Sequence, residues 1–246
     1  MHKDRICTIC VRAGSKSVKH KNIRNLGGKP LLTWTVEQAV ASQQFDVVAV
    51  SSDSDEYLDL AGRAGAGMLV RRPDALATDE IGKVPVIRHL VDHAEQEVGR
   101  GFKLVVDLQV TSPFRAPFDI AAAISLLESN PSAENVVSAT PCRHSPYFTI
   151  VERDSEGYLR IAKSIDGPIV RRQDAPACFD LNGSIYVWKR AALDEYDSAC
   201  TERSLIYEMP AHRSIDIDDE LDLLVAEMLA QRIDPSTGAL INESQE

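Results

Sequence analysis

Short apolar runs alternate with longer amphipathic stretches through the first half of the chain. Ile6–Val11, Val47–Ser51, Leu104–Leu108 and Val136–Ser138 are rich in β-branched residues and short, which predicts buried strands. Helices are predicted near 31–43, 55–66, 84–98 and 117–129. In the third, Ile87, Leu90, Val91, Ala94 and Val98 fall on one helical face. Strands alternating with helices specify an α/β fold with a mostly parallel sheet covered on both sides.

The pattern changes after Pro141. Tyr147, Phe148, Ile150 and Val151 precede Asp154-Ser155-Glu156-Gly157, and Tyr158, Leu159 and Ile161 follow it. Two extended runs around a polar turn with Gly predict a hairpin. Residues 141–180 therefore read as an excursion from a single domain spanning 1–233. The core resumes at Ser184–Trp188 and closes with a helix near 219–232, where Leu221, Leu224, Val225, Met228 and Leu229 share a face. The tail 234–246 is polar and expected to be flexible.

Charge narrows the function. Lys and Arg number 27 and Asp and Glu 37, a formal charge of −10. A nucleic-acid binder needs a basic footprint, so none is expected as a partner. No apolar run approaches membrane-spanning length, and no membrane partner is expected. The N-terminus lacks the apolar stretch and small-residue cleavage site of a signal peptide. Cys7, Cys10, Cys142, Cys178 and Cys200 are odd in number and scattered, as reduced cytoplasmic thiols are. Cys7 and Cys10 form a C-x-x-C with no second pair; on a strand they point to opposite faces.

Two segments carry chemistry. Arg12-Ala13-Gly14-Ser15-Lys16, then Lys19-His20-Lys21-Asn22, follow the first strand directly. Ligands of open α/β sheets bind at the carboxyl ends of strands, and a loop with Gly, Ser and cations suits a triphosphate there. It matches neither G-x-x-x-x-G-K-[ST] nor G-x-G-x-x-G, and a solvated basic loop is an equal reading of the residues alone. The second segment is Asp216-Ile217-Asp218. Its carboxylates point the same way if extended and can share a hard divalent ion such as Mg²⁺. The alternative is a helix cap at Asp218-Asp219. His89 and His93 have metal-compatible spacing but no third ligand, which favours an ordinary helix face.

The loop, with Gly28-Lys29-Pro30-Leu31 after it, resembles the opening of acylneuraminate cytidylyltransferases, the CMP-sialic acid synthetases, except that Cys10-Val11 replaces Pro-Ala. Ser51-Ser52-Asp53-Ser54, Arg72-Pro73 with Leu76-Ala77-Thr78-Asp79, and Leu108-Gln109-Val110-Thr111-Ser112-Pro113-Phe114-Arg115 resemble later family motifs in order. So do Arg172-Gln173, Asn182-Gly183-Ser184-Ile185-Tyr186 and Ser214-Ile215-Asp216-Ile217-Asp218. The matches span residues 6–218. Gly82-Lys83 stands where many members carry a small hydroxyl residue, so a nucleotide contact there lacks support from the resemblance. Ser145-Pro146-Tyr147-Phe148 with Val151-Glu152 is similar to the branch acting on bacterial sialic-acid analogues such as legionaminic acid.

The resemblance implies a three-layer, Rossmann-like nucleotidyltransferase fold with a dimerisation hairpin. It implies transfer of CMP from CTP to a nine-carbon acidic sugar by a cytoplasmic, Mg²⁺-dependent homodimer. Arg12, Lys21 and Asp216 take catalytic roles by resemblance. Arg12, Gly14, Ser15, Lys16, Asn22 and Arg72 bind nucleotide, and Gln109, Thr111, Lys163, Arg172, Asn182 and Tyr186 bind sugar. Asp216 and Asp218 hold the metal. The alternatives are a Kdo-type cytidylyltransferase and a non-catalytic nucleotide-sugar-binding protein on the same fold.

Overall fold

The computed structural model describes residues 2–14, 18–78, 80–165, 171, 174–234 and 237–241. Among them the main sheet has seven strands. In spatial order these are β11 (Ser204–Glu208), β7 (Asn135–Pro141), β10 (Phe179–Lys189), β6 (Leu104–Leu108), β1 (Arg5–Cys10), β4 (Val47–Ser52) and β5 (Met68–Arg71). All neighbours run parallel except β10, which is antiparallel to both β6 and β7. A small ribbon, β2 (Asn25–Leu26) with β3 (Lys29–Pro30), follows the first loop.

Residues alternate between the two faces of the sheet. Cys7 and Ile9 of β1, with Val106 and Leu108 of β6, pack under α1 (Leu31–Ala41), α2 (Asp55–Arg63), α4 (Pro117–Glu128) and α6 (Glu220–Ala230). Ile6 and Val105 face the other way, under α3 (Lys83–Val98) and α5 (Arg190–Glu195). Cys7 and Cys10 therefore belong to opposite layers, as their spacing requires, and burial pushes both thiols up. The result is the three-layer α/β arrangement expected, and the predicted helices lie within a few residues of α1 to α4.

Three features depart from the sequence pattern. β5 and β11 are edge strands that the apolar runs do not announce; in each, exposed and covered positions mix because only one neighbour strand pairs with it. The apolar stripe of α6 is the second: Leu221, Leu224, Val225 and Met228 are exposed, while Leu223 and Ala226 face the core. A shared helical face shows that a stripe exists, not which side the sheet lies on. Third, β10 begins well before Ser184, and its pairing with β7 shifts register between Leu181 and Tyr186.

The hairpin forms as β8 (Val151–Arg153) against β9 (Leu159–Ile161), separate from the main sheet. Asp154 Oδ1 accepts from the amides of Glu156 and Tyr158 and shapes the turn. Every residue of both strands is exposed. Of the polar tail, Leu240 bridges to Ile233.

Candidate active site

The loop after β1 is anchored from below. Val11 N–H donates to the Ser51 carbonyl, which continues the pairing of β1 with β4. Asn22 Nδ2 donates to the Arg12 carbonyl at 2.9 Å, and Ala13 N–H donates to Asp53 Oδ1 at 2.8 Å. Gly14 has open space where a side chain would stand. Ser15 and Lys16 lie outside the described residues. Arg72, just past β5, is buried; its Nε donates to Ser51 Oγ at 3.3 Å and its Nη2 to the Ser51 carbonyl at 3.2 Å. Lys21 Nζ reaches Asp218 Oδ1 at 3.1 Å.

Opposite this basic rim stands the segment after β6. Gln109 Nε2 donates to Thr111 Oγ1 at 2.9 Å and approaches Asp216 Oδ2 at 3.4 Å. The Thr111 hydroxyl donates to Asp216 Oδ1. Burial raises the Asp216 carboxyl; the Thr111 bond opposes that shift, neighbouring Asp218 adds to it, and Lys21 and Lys83 pull it down. Room for this cluster depends on Gly183, whose φ is +66°. A Cβ there would stand 3.0 Å from Gln109 Nε2 and 3.3 Å from Asp216 Oδ2.

Arg115 fixes the same segment from inside. It is fully buried and donates to the Gln109 carbonyl, to the Ser112 carbonyl at 2.7 Å and to Ser184 Oγ at 3.0 Å. Burial lowers its guanidinium to about 10.

The floor is a row across three strands. Thr8, Asp107 and Tyr186 are register partners on β1, β6 and β10. Thr8 Oγ1 donates to Asp107 Oδ1 at 3.0 Å. Lys83 comes down from the start of α3, 2.7 Å from Asp107 Oδ2 and 3.0 Å from Gln109 Oε1, with its ammonium 4.2 Å from the Tyr186 ring centre. Burial alone would lower this lysine, but Asp107 and Tyr186 outweigh it and its affinity for the proton is raised.

These parts enclose a cavity of about 290 Å³, lined among others by Arg12, Lys21, Asn22, Arg72, Lys83, Gln109, Thr111 and Asp218. It is of the size class of small-ligand sites. Asp216 joins it through Thr111 and Gln109, and Tyr186 through Lys83. Two expected sugar contacts are placed elsewhere. The amide of Asn182 is buried and bonded within the protein, to Ser138 at 2.6 Å and Ser214 at 2.9 Å. Lys163 is out on the excursion, 5.8 Å from the Tyr147 ring centre. Arg172 lies outside the described residues.

Lys83 and Asp107 are the site residues that the sequence pattern passed over. Asp107 had a signal, a carboxylate within the apolar run Leu104–Leu108. Lys83 had none beyond its departure from the family hydroxyl.

The donor set suits a hard divalent cation. Asp216 and Asp218 are oxygen donors, close enough that the Asp218 charge raises the Asp216 carboxyl, and Asp218 is largely exposed. No third His, Cys, Asp or Glu joins them among the described residues, so substrate and water oxygens would complete the shell. The cap reading also holds in part: Asp219, not Asp218, caps α6 by accepting from Leu221 and Asp222.

Comparison with known proteins gives a consistent picture. A sequence profile described as Cytidylyltransferase matches residues 6–226. CMP-N,N'-diacetyllegionaminic acid synthase of Campylobacter jejuni is 36% identical over 91% of this chain and 94% of that protein. Post-translational flagellin modification protein B of Campylobacter coli is 34% identical over the same shares. A solved CMP:2-keto-3-deoxy-manno-octonic acid synthetase complexed with CTP superposes with a TM-score of 0.67 at 16% identity, over 93% of this chain and 99% of that one. At that identity it speaks for the fold.

Proposed function

The chain belongs to the cytidylyltransferase family, and from that membership we propose that it couples CTP to a nonulosonic acid, giving the CMP-sugar and pyrophosphate. The carrying observation is the single cavity in which Arg12, Lys21 and Arg72 face Gln109, Thr111 and Asp218. The legionaminic acid synthase at 36% identity over nearly its whole length supports a legionaminic-type sugar.

In the reaction the anomeric hydroxyl oxygen attacks the α-phosphorus and gives up its proton to a base in the site or to solvent, a new P–O bond forms, and the bond to the β-phosphate bridging oxygen breaks. Charge grows on the phosphoryl oxygens and the leaving pyrophosphate, so positioning and electrostatics carry the catalysis. Arg12 and Lys21 meet that charge. Asn22 holds the loop closed on the Arg12 carbonyl, and Arg72 shapes the nucleotide end from its anchor on Ser51. Gln109 and Thr111 present the sugar side. Asp216 and Asp218 would hold Mg²⁺, which when bound supplies Lewis-acid polarisation of phosphate oxygens and of the attacking hydroxyl.

The hairpin is the element we assign to homodimer formation, because Tyr158, Leu159 and Ile161 are exposed on it. Arg172 and Lys163, carried by the excursion, would then meet the sugar carboxylate in the partner's site. No helix among the described residues is long and apolar enough to cross a membrane. A cytoplasmic location fits the use of CTP and the free cysteines.

The test is pyrophosphate release with CTP, Mg²⁺ and a panel of eight- and nine-carbon acidic sugars. Release with diacetylated nine-carbon sugars is expected. Release with 3-deoxy eight-carbon sugars alone would reassign the substrate to the Kdo type, and no release with any sugar would leave a binding protein.

A further inference from the structure

Lys83 occupies an unusual place. It is the first residue of α3, after Gly82 at the cap. A cation there opposes the helix dipole, so helix stability does not account for it. Its charge is met instead by Asp107, whose side chain is 1% exposed, and by the face of Tyr186. A lysine on an exposed helix start would need neither partner.

We infer that Lys83 is a positioning residue for cytidylyl transfer: seated on Asp107 and Tyr186, it locks the Gln109 side-chain amide in the one orientation that serves Thr111 and Asp216. This rests on the function proposed above. An ammonium only donates, so the Gln109 atom 3.0 Å from Lys83 Nζ must be the amide oxygen. The NH₂ group then faces Thr111 Oγ1 and Asp216 Oδ2. Thr111 spends its single proton on Asp216 Oδ1, so towards Gln109 it only accepts. Both ends of the amide thus agree on one orientation. A flip would set NH₂ against an ammonium and a carbonyl oxygen against a carboxylate. The order runs unbroken from the buried Asp107 through Lys83 and Gln109 to Thr111 and Asp216. It exists before substrate arrives, which is the condition for preorganised catalysis.

The rival account is that Lys83 only neutralises Asp107. A double-mutant cycle separates the two. Lys83→Met alone would strand a buried carboxylate, so the lysine is removed together with its counter-charge, as K83M/D107N. This pair, Gln109→Ala and the triple variant are compared with wild type by thermal unfolding and by pyrophosphate release at saturating sugar. K83M/D107N is expected to keep KM for CTP within about threefold while kcat falls about 10- to 100-fold, as misplacement of one site group does. In the Gln109→Ala background the same pair should cost less than about threefold further, because the groups act in series. Losses that multiply, or an unchanged kcat in K83M/D107N, would overturn the inference. Should the neutral pair not fold, Lys83→Arg, which keeps a cation opposite Asp107 but replaces the ammonium that meets Gln109, runs the same cycle under the same criteria. Wild-type turnover is the control: its absence sinks the proposed function, whereas turnover with multiplying losses sinks only the role of Lys83.

Discussion

On the cavity floor, Asp107, Lys83, Gln109, Thr111 and Asp216 each hold a polar partner inside the chain. In the hairpin of β8 and β9, Tyr158 and Leu159 are 64% and 68% exposed and both strands lie in solvent. The first region has met its desolvation internally, and buried polar groups joined this way are rigid. The second leaves apolar surface uncovered on a two-stranded ribbon that is marginal by itself. The contrast teaches where the chain ends as a self-sufficient unit. The floor of the site is assembled by the chain's own folding. The excursion is a surface still in search of one.

The largest expected effect breaks the ordered side. Asp216→Asn should lower kcat about 10²- to 10³-fold, as loss of a preorganised charged group does, read by pyrophosphate release. Its stability should move the other way. The folded carboxyl is raised by burial, so the stability it contributes is present at low pH and lost as pH rises through the folded value. With chelator present, the Asn variant should melt at or above wild type near neutral pH and should lack the wild-type gain as pH falls from the raised folded value to the usual carboxylate range. A lower melting point near neutral pH would contradict the desolvation account.

Next is Gly183→Ala. The added carbon meets Gln109 at 3.0 Å, and φ of +66° is strained for alanine. We expect a loss of about 1–3 kcal/mol of stability, seen in denaturant melts, together with a kcat reduction of about tenfold or more. Full activity with normal stability would show that the cluster tolerates being spread.

The hairpin side is tested by Tyr158→Ser with Leu159→Ser. Because neither residue is covered in the single chain, unfolding of the monomer should change by under about 0.5 kcal/mol. Sedimentation should show wild-type dimers and variant monomers. Mixing Arg12→Ala with Arg172→Ala subunits should restore about a quarter of wild-type activity if sites are shared across a two-fold dimer. Mixed dimers without recovery would confine each site to its own chain.

The smallest effect is expected on α6. Met228→Ser, at 69% exposure, should alter neither turnover nor oligomeric state and should shift stability by under about 0.5 kcal/mol. A larger loss, measured in the same melts, would mean that the α6 stripe is a second covered surface.

Much of this architecture was legible from residue pattern because burial imposes a period. The apolar runs at Ile6–Val11 and Leu104–Leu108 and the stripe Ile87, Leu90, Val91 can satisfy a core only as strands and a helix of the lengths observed. Of the residues that line the cavity, Arg12 and Lys21 stood out as cations after a strand end, where ligands of such sheets bind, and Asp218 as one of an alternating carboxylate pair, whereas Asn22, Arg72, Gln109 and Thr111 were reached through the family resemblance. Edge strands β5 and β11 were not, since a strand paired on one side carries a weaker alternation. The exposed face of α6 shows the same limit, because periodicity defines a stripe without saying which neighbour lies under it.

Sequence alone thus determined the alternation of strands and helices, the excursion and the place of the charged loop after the first strand, all of which follow from short-range spacing and from where apolar residues recur. Tertiary structure alone decided that Lys83, Asp107 and Tyr186, from a helix and two strands far apart in the chain, meet beneath Gln109. It also decided that Asn182 is a strut between Ser138 and Ser214. A polar residue's role is set by the partner within about 3 Å of its donor or acceptor atoms, and across this mixed sheet that partner is fixed by strand order and register, which no local pattern records.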